Sequence, residues 1–85
     1  MDSYEESIKS VARYWGNRMP MMAVEEAGEF IQAISKVERR KDGAIGNLVD
    51  EIGDLRIALD ALMYHYAIDP AAIADRIASK LNKKY

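Results

Sequence analysis

In 85 residues the chain carries 14 acidic side chains, one histidine and no cysteine. Thiolate chemistry and multi-histidine metal centres are therefore excluded, and carboxylates are the groups left to carry a reaction. Four of them are spaced to act together. Glu26 and Glu29 lie three residues apart, and so do Glu51 and Asp54. On an α-helix that spacing sets two side chains about 60° round and one turn along, so each pair can converge on one object. Like charges this close repel by a few tenths of a kcal/mol per pair, and a cation removes the penalty. All-oxygen ligation selects a hard ion, Mg²⁺ or Mn²⁺, over zinc or copper. Mg²⁺ keeps waters and takes phosphate oxygens as further ligands, so the chemistry indicated is on phosphate.

The elements that must position these acids are all helical. Ser3 followed by Glu6 has capping-box spacing, which predicts a first helix from about Ser3 to Trp15, stopped by Gly16. Pro20 suits the first turn of a second helix, and Val24, Ala27, Ile31 and Ile34 recur at helical spacing until about Lys41. Gly43 and Gly46 form the connection. Asn47 is the expected N-cap of a third helix, whose stripe Leu48, Ile52, Leu55, Leu59, Leu62 and Tyr66 ends near Ala67. Asp69 and Pro70 open a fourth helix carrying Ile73, Ile77 and Leu81. The expected fold is all-α, one domain over residues 1–85, built on a hairpin of two helices each about 30 Å long.

On a helical wheel Glu25 faces away from the apolar stripe of the second helix, while Glu26 borders it; Glu51 borders the stripe of the third. Packed antiparallel, the two helices bring both acid pairs face to face, with room beside Ala58 and Ala61. A solvated acidic face is the alternative, and the rim positions of Glu26 and Glu51 weigh against it. Gly28 and Gly53, inside these helices, read as sites of close helix packing.

Composition limits the partners. With 12 basic side chains and a formal charge of -2, the chain lacks the basic field of a nucleic-acid module. No apolar run reaches the roughly 18 residues of a membrane span, and the N-terminal MDSYEESIKS is acidic where a signal peptide is basic. A cytoplasmic protein is expected. A chain of this size buries only about 63% of its unfolded surface, and its third helix is apolar around most of its circumference, so a homodimer or homotetramer is expected to complete the core and the substrate pocket.

Glu25-Glu26-Ala27-Gly28-Glu29, then 21 residues, then Glu51-Ile52-Gly53-Asp54 resembles the EExxE…ExxD signature of the MazG-like, all-α nucleoside triphosphate pyrophosphohydrolases. The similarity runs from about Trp15 to the C-terminus. It implies a four-helix MazG-like bundle and an Mg²⁺-dependent hydrolase that cuts between the α- and β-phosphates of (deoxy)nucleoside triphosphates, releasing monophosphate and pyrophosphate. It also implies Glu26, Glu29, Glu51 and Asp54 as the metal-binding residues. Glu29 is the expected catalytic residue, helping to deprotonate the attacking water.

Lys80-Leu81-Asn82-Lys83-Lys84-Tyr85 is similar to the family's C-terminal phrase, with Lys80 and Lys84 at its basic positions, although Ala78 stands where larger members carry asparagine. These lysines either contact substrate phosphates or complement the dipole at a helix C-terminus. Trp15 either stacks on a nucleobase or serves the core or an interface. Two alternatives stand beside the first reading. Phosphoribosyl-ATP pyrophosphatases share the motif, but their Tyr-His pair follows the ExxD acid closely, whereas Tyr64-His65 comes ten residues after Asp54. The other is a non-catalytic oligomerising adaptor, which has no physical need for clustered carboxylates.

Overall fold

Ser3 begins the first helix as its side chain accepts a hydrogen bond from the Glu6 N–H at 3.1 Å. A computed structural model describes residues 3–84, apart from the side chain of Lys84. Helix α1 spans Tyr4–Trp15 and stops at Gly16, whose φ of 53° turns the chain into one 3₁₀ turn, Gly16–Arg18. Helix α2 follows as Met19–Glu38, with Pro20 in its first turn where no N–H is needed. Helix α3 is Ala44–His65 and α4 is Pro70–Lys84. Asp69 caps α4, its Oδ1 accepting from the Ala71 N–H at 2.9 Å. There is no strand among the described residues, and no helix there is long and apolar enough to cross a membrane.

Two helix ends differ from expectation. Helix α2 stops at Glu38 rather than Lys41, because Arg40 adopts a φ of 56° and turns the chain back. Helix α3 starts three residues before Asn47. Gly43, at φ 73°, takes the N-cap, and the Asn47 N–H already donates to the Gly43 carbonyl at 3.2 Å, so Asn47 lies inside the first turn. Ala67 leaves α3 with φ 55°, a conformation costing a Cβ-bearing residue about 1–2 kcal/mol. Because glycine also gains freedom in the unfolded chain, Ala67→Gly is expected to stabilise the fold by a net ~0.5–1 kcal/mol. Urea denaturation at unchanged m-value checks this; a loss of stability would contradict it.

Helices α2 and α3 form an antiparallel hairpin, and α1 lies across α3. The sides of contact match the sequence stripes only in part: Ala27, Leu48, Leu55 and Leu62 are covered as expected. Among the covered residues, Met19, Ala23, Glu26, Phe30, Ala33 and Val37 of α2 and Ala44, Leu48, Glu51, Leu55, Ala58 and Leu62 of α3 each form a row. Both rows step by three and four, the seam of two closely packed helices. Val24, Ile31 and Ile34, expected to face the core, are exposed, as are Ile52, Leu59 and Tyr66 of α3. The physical reason is size: Ala23, Ala33, Ala44, Ala58 and Ala61 are all buried, and such small side chains let two backbones approach.

Rotation places everything else. Counted at about 100° per residue from Glu26 on α2 and from Glu51 on α3, Ile31, Ile34, Ile45, Ile52 and Leu59 all fall about 80–140° round in one sense. Glu29 and Asp54 fall about 60° round in the other. Equal rotations on antiparallel helices lead to the same side of a hairpin. One side therefore carries the acids and α1, and the opposite side carries branched aliphatic residues.

The core joins α1, α2 and α3 through Ile8, Ala12, Met19, Ala23, Ala58 and Ala61, with Val11, Trp15, Met22 and Leu62 against it. The room expected beside Ala61 is filled by α1. Helix α4 stays outside this unit, with every described side chain exposed, so one chain packs three helices rather than a four-helix bundle. Its stripe of Ile73, Ile77 and Leu81 is narrow, and α1 already occupies the alanine side of α3. Gly28 and Gly53 are not close-packing sites within one chain, since a Cβ on either would meet nothing within 4 Å. Each nonetheless costs the helix about 1 kcal/mol relative to alanine.

Candidate metal centre

Glu26 and Glu51 reach the site from the hairpin seam itself, a stronger placement than the rim position read from the sequence. Their half-buried side chains meet Asp54, so that Glu26, Glu51 and Asp54 each offer a carboxylate oxygen within 4.8 Å of the others. Glu29, one turn beyond Glu26 and exposed, lies close enough to both Glu26 and Glu51 to raise their pKa. All four acids are thus brought together, while Glu25 points away into solvent.

The cluster is electrostatically unsatisfied. Partial burial holds the Glu26 carboxyl above its ordinary 4.5, and the charges of Glu29, Asp54 and Glu51 push it further. Glu51 is raised by the same combination, desolvation first and then Glu29 and Asp54. Glu26 Oε2 and Glu51 Oε2 are shut off from solvent and meet no hydrogen-bond donor. Among the described residues the ion pair formed is Lys9 with Glu5, at 3.5 Å and away from the cluster. Closed-off acceptor oxygens with no cationic side chain suit a hard divalent ion, whose ligands are oxygens alone.

These shifts make stability depend on pH in a definite sense. Raised carboxyl pKa values mean that the folded state holds more protons than the unfolded chain between about pH 4.5 and the folded values. Metal-free protein is therefore expected to lose stability as pH rises through that window, and Glu26→Gln to flatten the loss. Melting curves in chelator from pH 4 upward check the sign; a Tm that climbs across the window would contradict it.

Beside the acids opens a cleft of about 230 Å³ lined by Val11, Trp15, Met19 and Met22 on one wall and Glu26, Asp54, Ile57 and Ala58 on the other. Trp15 stands at the end of α1, edge-on to Tyr14, with the Arg18 guanidinium 5.0 Å from its ring centre. An aromatic side chain and two carboxylates, one from each helix of the hairpin, thus share one opening. Met19 and Met22 were not singled out in the sequence, although Met19 lies seven residues before Glu26 and so on the same side of α2.

The C-terminal candidates are not drawn in. Lys80 lies on α4 beside Arg76, Ile77 and Leu81, all exposed. The Lys84 side chain and Tyr85 lie outside the described residues. His65 packs edge-on against Tyr66 and does not line the cleft. A larger groove of about 430 Å³ between α1 and the end of α3 holds a hydrogen bond from the Tyr4 hydroxyl to Asp60 Oδ2, 2.5 Å long, and none of the four clustered acids. In comparisons with protein-family models, curated proteins and solved structures, the chain matches none.

Proposed function

We propose that this chain is a MazG-like, Mg²⁺-dependent nucleotide pyrophosphohydrolase that cleaves (deoxy)nucleoside triphosphates between the α- and β-phosphates. The observation that carries the reading is the convergence of Glu26 from one helix of a hairpin with Glu51 and Asp54 from the other, two of whose carboxylate oxygens are closed off and lack any donor. Glu26, Glu29, Glu51 and Asp54 are the residues that would hold the metal, with Mn²⁺ able to substitute. When bound, Mg²⁺ neutralises charge developing on the phosphates.

In this reaction Glu29, the most exposed of the set on α2, takes a proton from the attacking water. The water oxygen bonds to the α-phosphorus as the bond to the bridging oxygen breaks, and pyrophosphate leaves with the electron pair. Trp15 offers its face to the nucleobase at the cleft wall. Lys80 and Lys84 belong to this reading as phosphate contacts supplied on assembly, together with a four-helix bundle completed in a homodimer or homotetramer.

A panel of nucleoside triphosphates with Mg²⁺, scored for pyrophosphate against orthophosphate, tests the reaction. Pyrophosphate with nucleoside monophosphate is expected, and orthophosphate alone would exclude attack at the α-phosphorus. Millimolar Mg²⁺ is also expected to raise the melting temperature, because a ligand bound only by the folded state adds RT ln(1 + [L]/Kd) to stability. The rise is expected to vanish in Asp54→Asn. An unchanged Tm in the parent protein would favour the non-catalytic adaptor.

A further inference from the structure

We propose that Gly28 and Gly53 are positioning residues for the metal centre: they make the two acid-bearing turns the yielding part of the hairpin, so that the main chain adjusts when a divalent ion draws the carboxylates together, an inference that rests on the metal reading above. The same phrase occurs on both helices. Glu26-Ala27-Gly28-Glu29 on α2 and Glu51-Ile52-Gly53-Asp54 on α3 share the order Glu, any residue, Gly, acid. In each phrase the glycine stands between the two acids and about 200° round the helix from the first, on the side away from the seam.

Nothing else in the fold calls for these glycines. Glycine is the weakest helix former after proline, yet both lie in the middle of long helices. Neither has the positive φ that sets Gly16 and Gly43 apart, and a Cβ on either would meet nothing within 4 Å. Space and backbone conformation would both admit alanine. What distinguishes glycine here is the freedom that a residue without a Cβ gives to its own turn.

That freedom falls where the ligands lack their own. Glu26 and Glu51 enter from the seam, half-buried, with one oxygen of each shut off, so packing confines their side chains. Asp54 has one methylene fewer than a glutamate to reach with. An ion must draw carboxylate oxygens that stand within 4.8 Å of one another into a shell that for Mg²⁺ is near-octahedral, at about 2.0–2.1 Å. The fine movement that fits confined acids to that shell has to come from the backbone. A yielding turn on each helix also lets the like-charged carboxylates ease apart when no cation holds them.

Titration with Mn²⁺, followed by its electron paramagnetic resonance in the absence of nucleotide, separates this role from a purely structural one. Gly28→Ala and Gly53→Ala are each expected to raise the melting temperature of the metal-free protein by about 4–8 °C. Together they are expected to weaken Mn²⁺ binding by about 10–100-fold, the usual size for residues that orient metal ligands from behind. A structural role would move stability alone. Gly46→Ala, also in α3 and also open to a Cβ, is the control expected to leave Mn²⁺ affinity unchanged. Equal affinity in the parent and the double alanine variant overturns the inference, as does a melting temperature that falls. A parent chain that binds no Mn²⁺ overturns the metal reading and this inference with it, so the two failures are distinguishable.

Discussion

Glu29→Gln is expected to lower the rate of triphosphate hydrolysis by about 10²–10⁴-fold, the usual contribution of a positioned general base, while nucleotide affinity changes only a few-fold. Glutamine keeps the length and hydrogen-bonding capacity of the side chain and removes its basicity. Glu29 suits the role by position. It stands one turn beyond Glu26, near enough to Glu26 and Glu51 to raise both, yet is itself exposed, where a substrate water can reach it. Single-turnover rates with binding measured in parallel separate the two effects. A variant with the parent rate would remove Glu29 from catalysis, and Glu25→Gln, whose side chain points into solvent, serves as the control expected to keep full rate.

Met19→Ala is expected to destabilise the fold by about 2–3 kcal/mol. Met19 is 1% exposed, the one large side chain fully enclosed among the described residues, and it joins α1, α2 and α3 through Ile8, Ala12, Ala23, Ala58 and Ala61. Truncating a buried methionine costs about 2–5 kcal/mol, and the low end applies because the cavity left behind opens into the acid cleft and admits water. For a chain of this length, with a total stability of about 4–13 kcal/mol, that is a large share. Met19→Leu, which conserves volume, is expected to lose less than about 1.5 kcal/mol. Urea midpoints at one fixed protein concentration compare the three proteins; equal losses for alanine and leucine would mean that packing at this site is not what holds the helices together.

Much of this architecture is legible in the sequence because its signals are local. Ser3 with Glu6, Gly16, Pro20, and Asp69 with Pro70 act within one turn of the residues they cap, and each marks a helix end found in the structure. The acid pairs belong to the same class, since i,i+3 spacing alone sets two carboxylates on one side of a helix. The failures are equally instructive. Asn47 is a good cap by type, but Gly43 adopts the left-handed conformation that starts α3 earlier. Gly28 and Gly53 do not mark contacts within the chain, and α4, amphipathic by pattern, finds no partner in a single copy.

The sequence by itself determined four helices, their approximate lengths and two acid pairs, because helix periodicity and capping depend on near neighbours alone. Only the tertiary structure decided which side of each helix the hairpin buries. Hydropathy weights Val24, Ile31, Ile34 and Ile52 above the alanines, yet Ala23, Ala33, Ala44 and Ala58 are buried in the seam and those branched residues are exposed, because small side chains let the two helix backbones approach. That choice turned Glu26 and Glu51 from rim positions into the seam, closed off two of their oxygens, and left Val24, Ile31, Ile34 and Ile52 exposed.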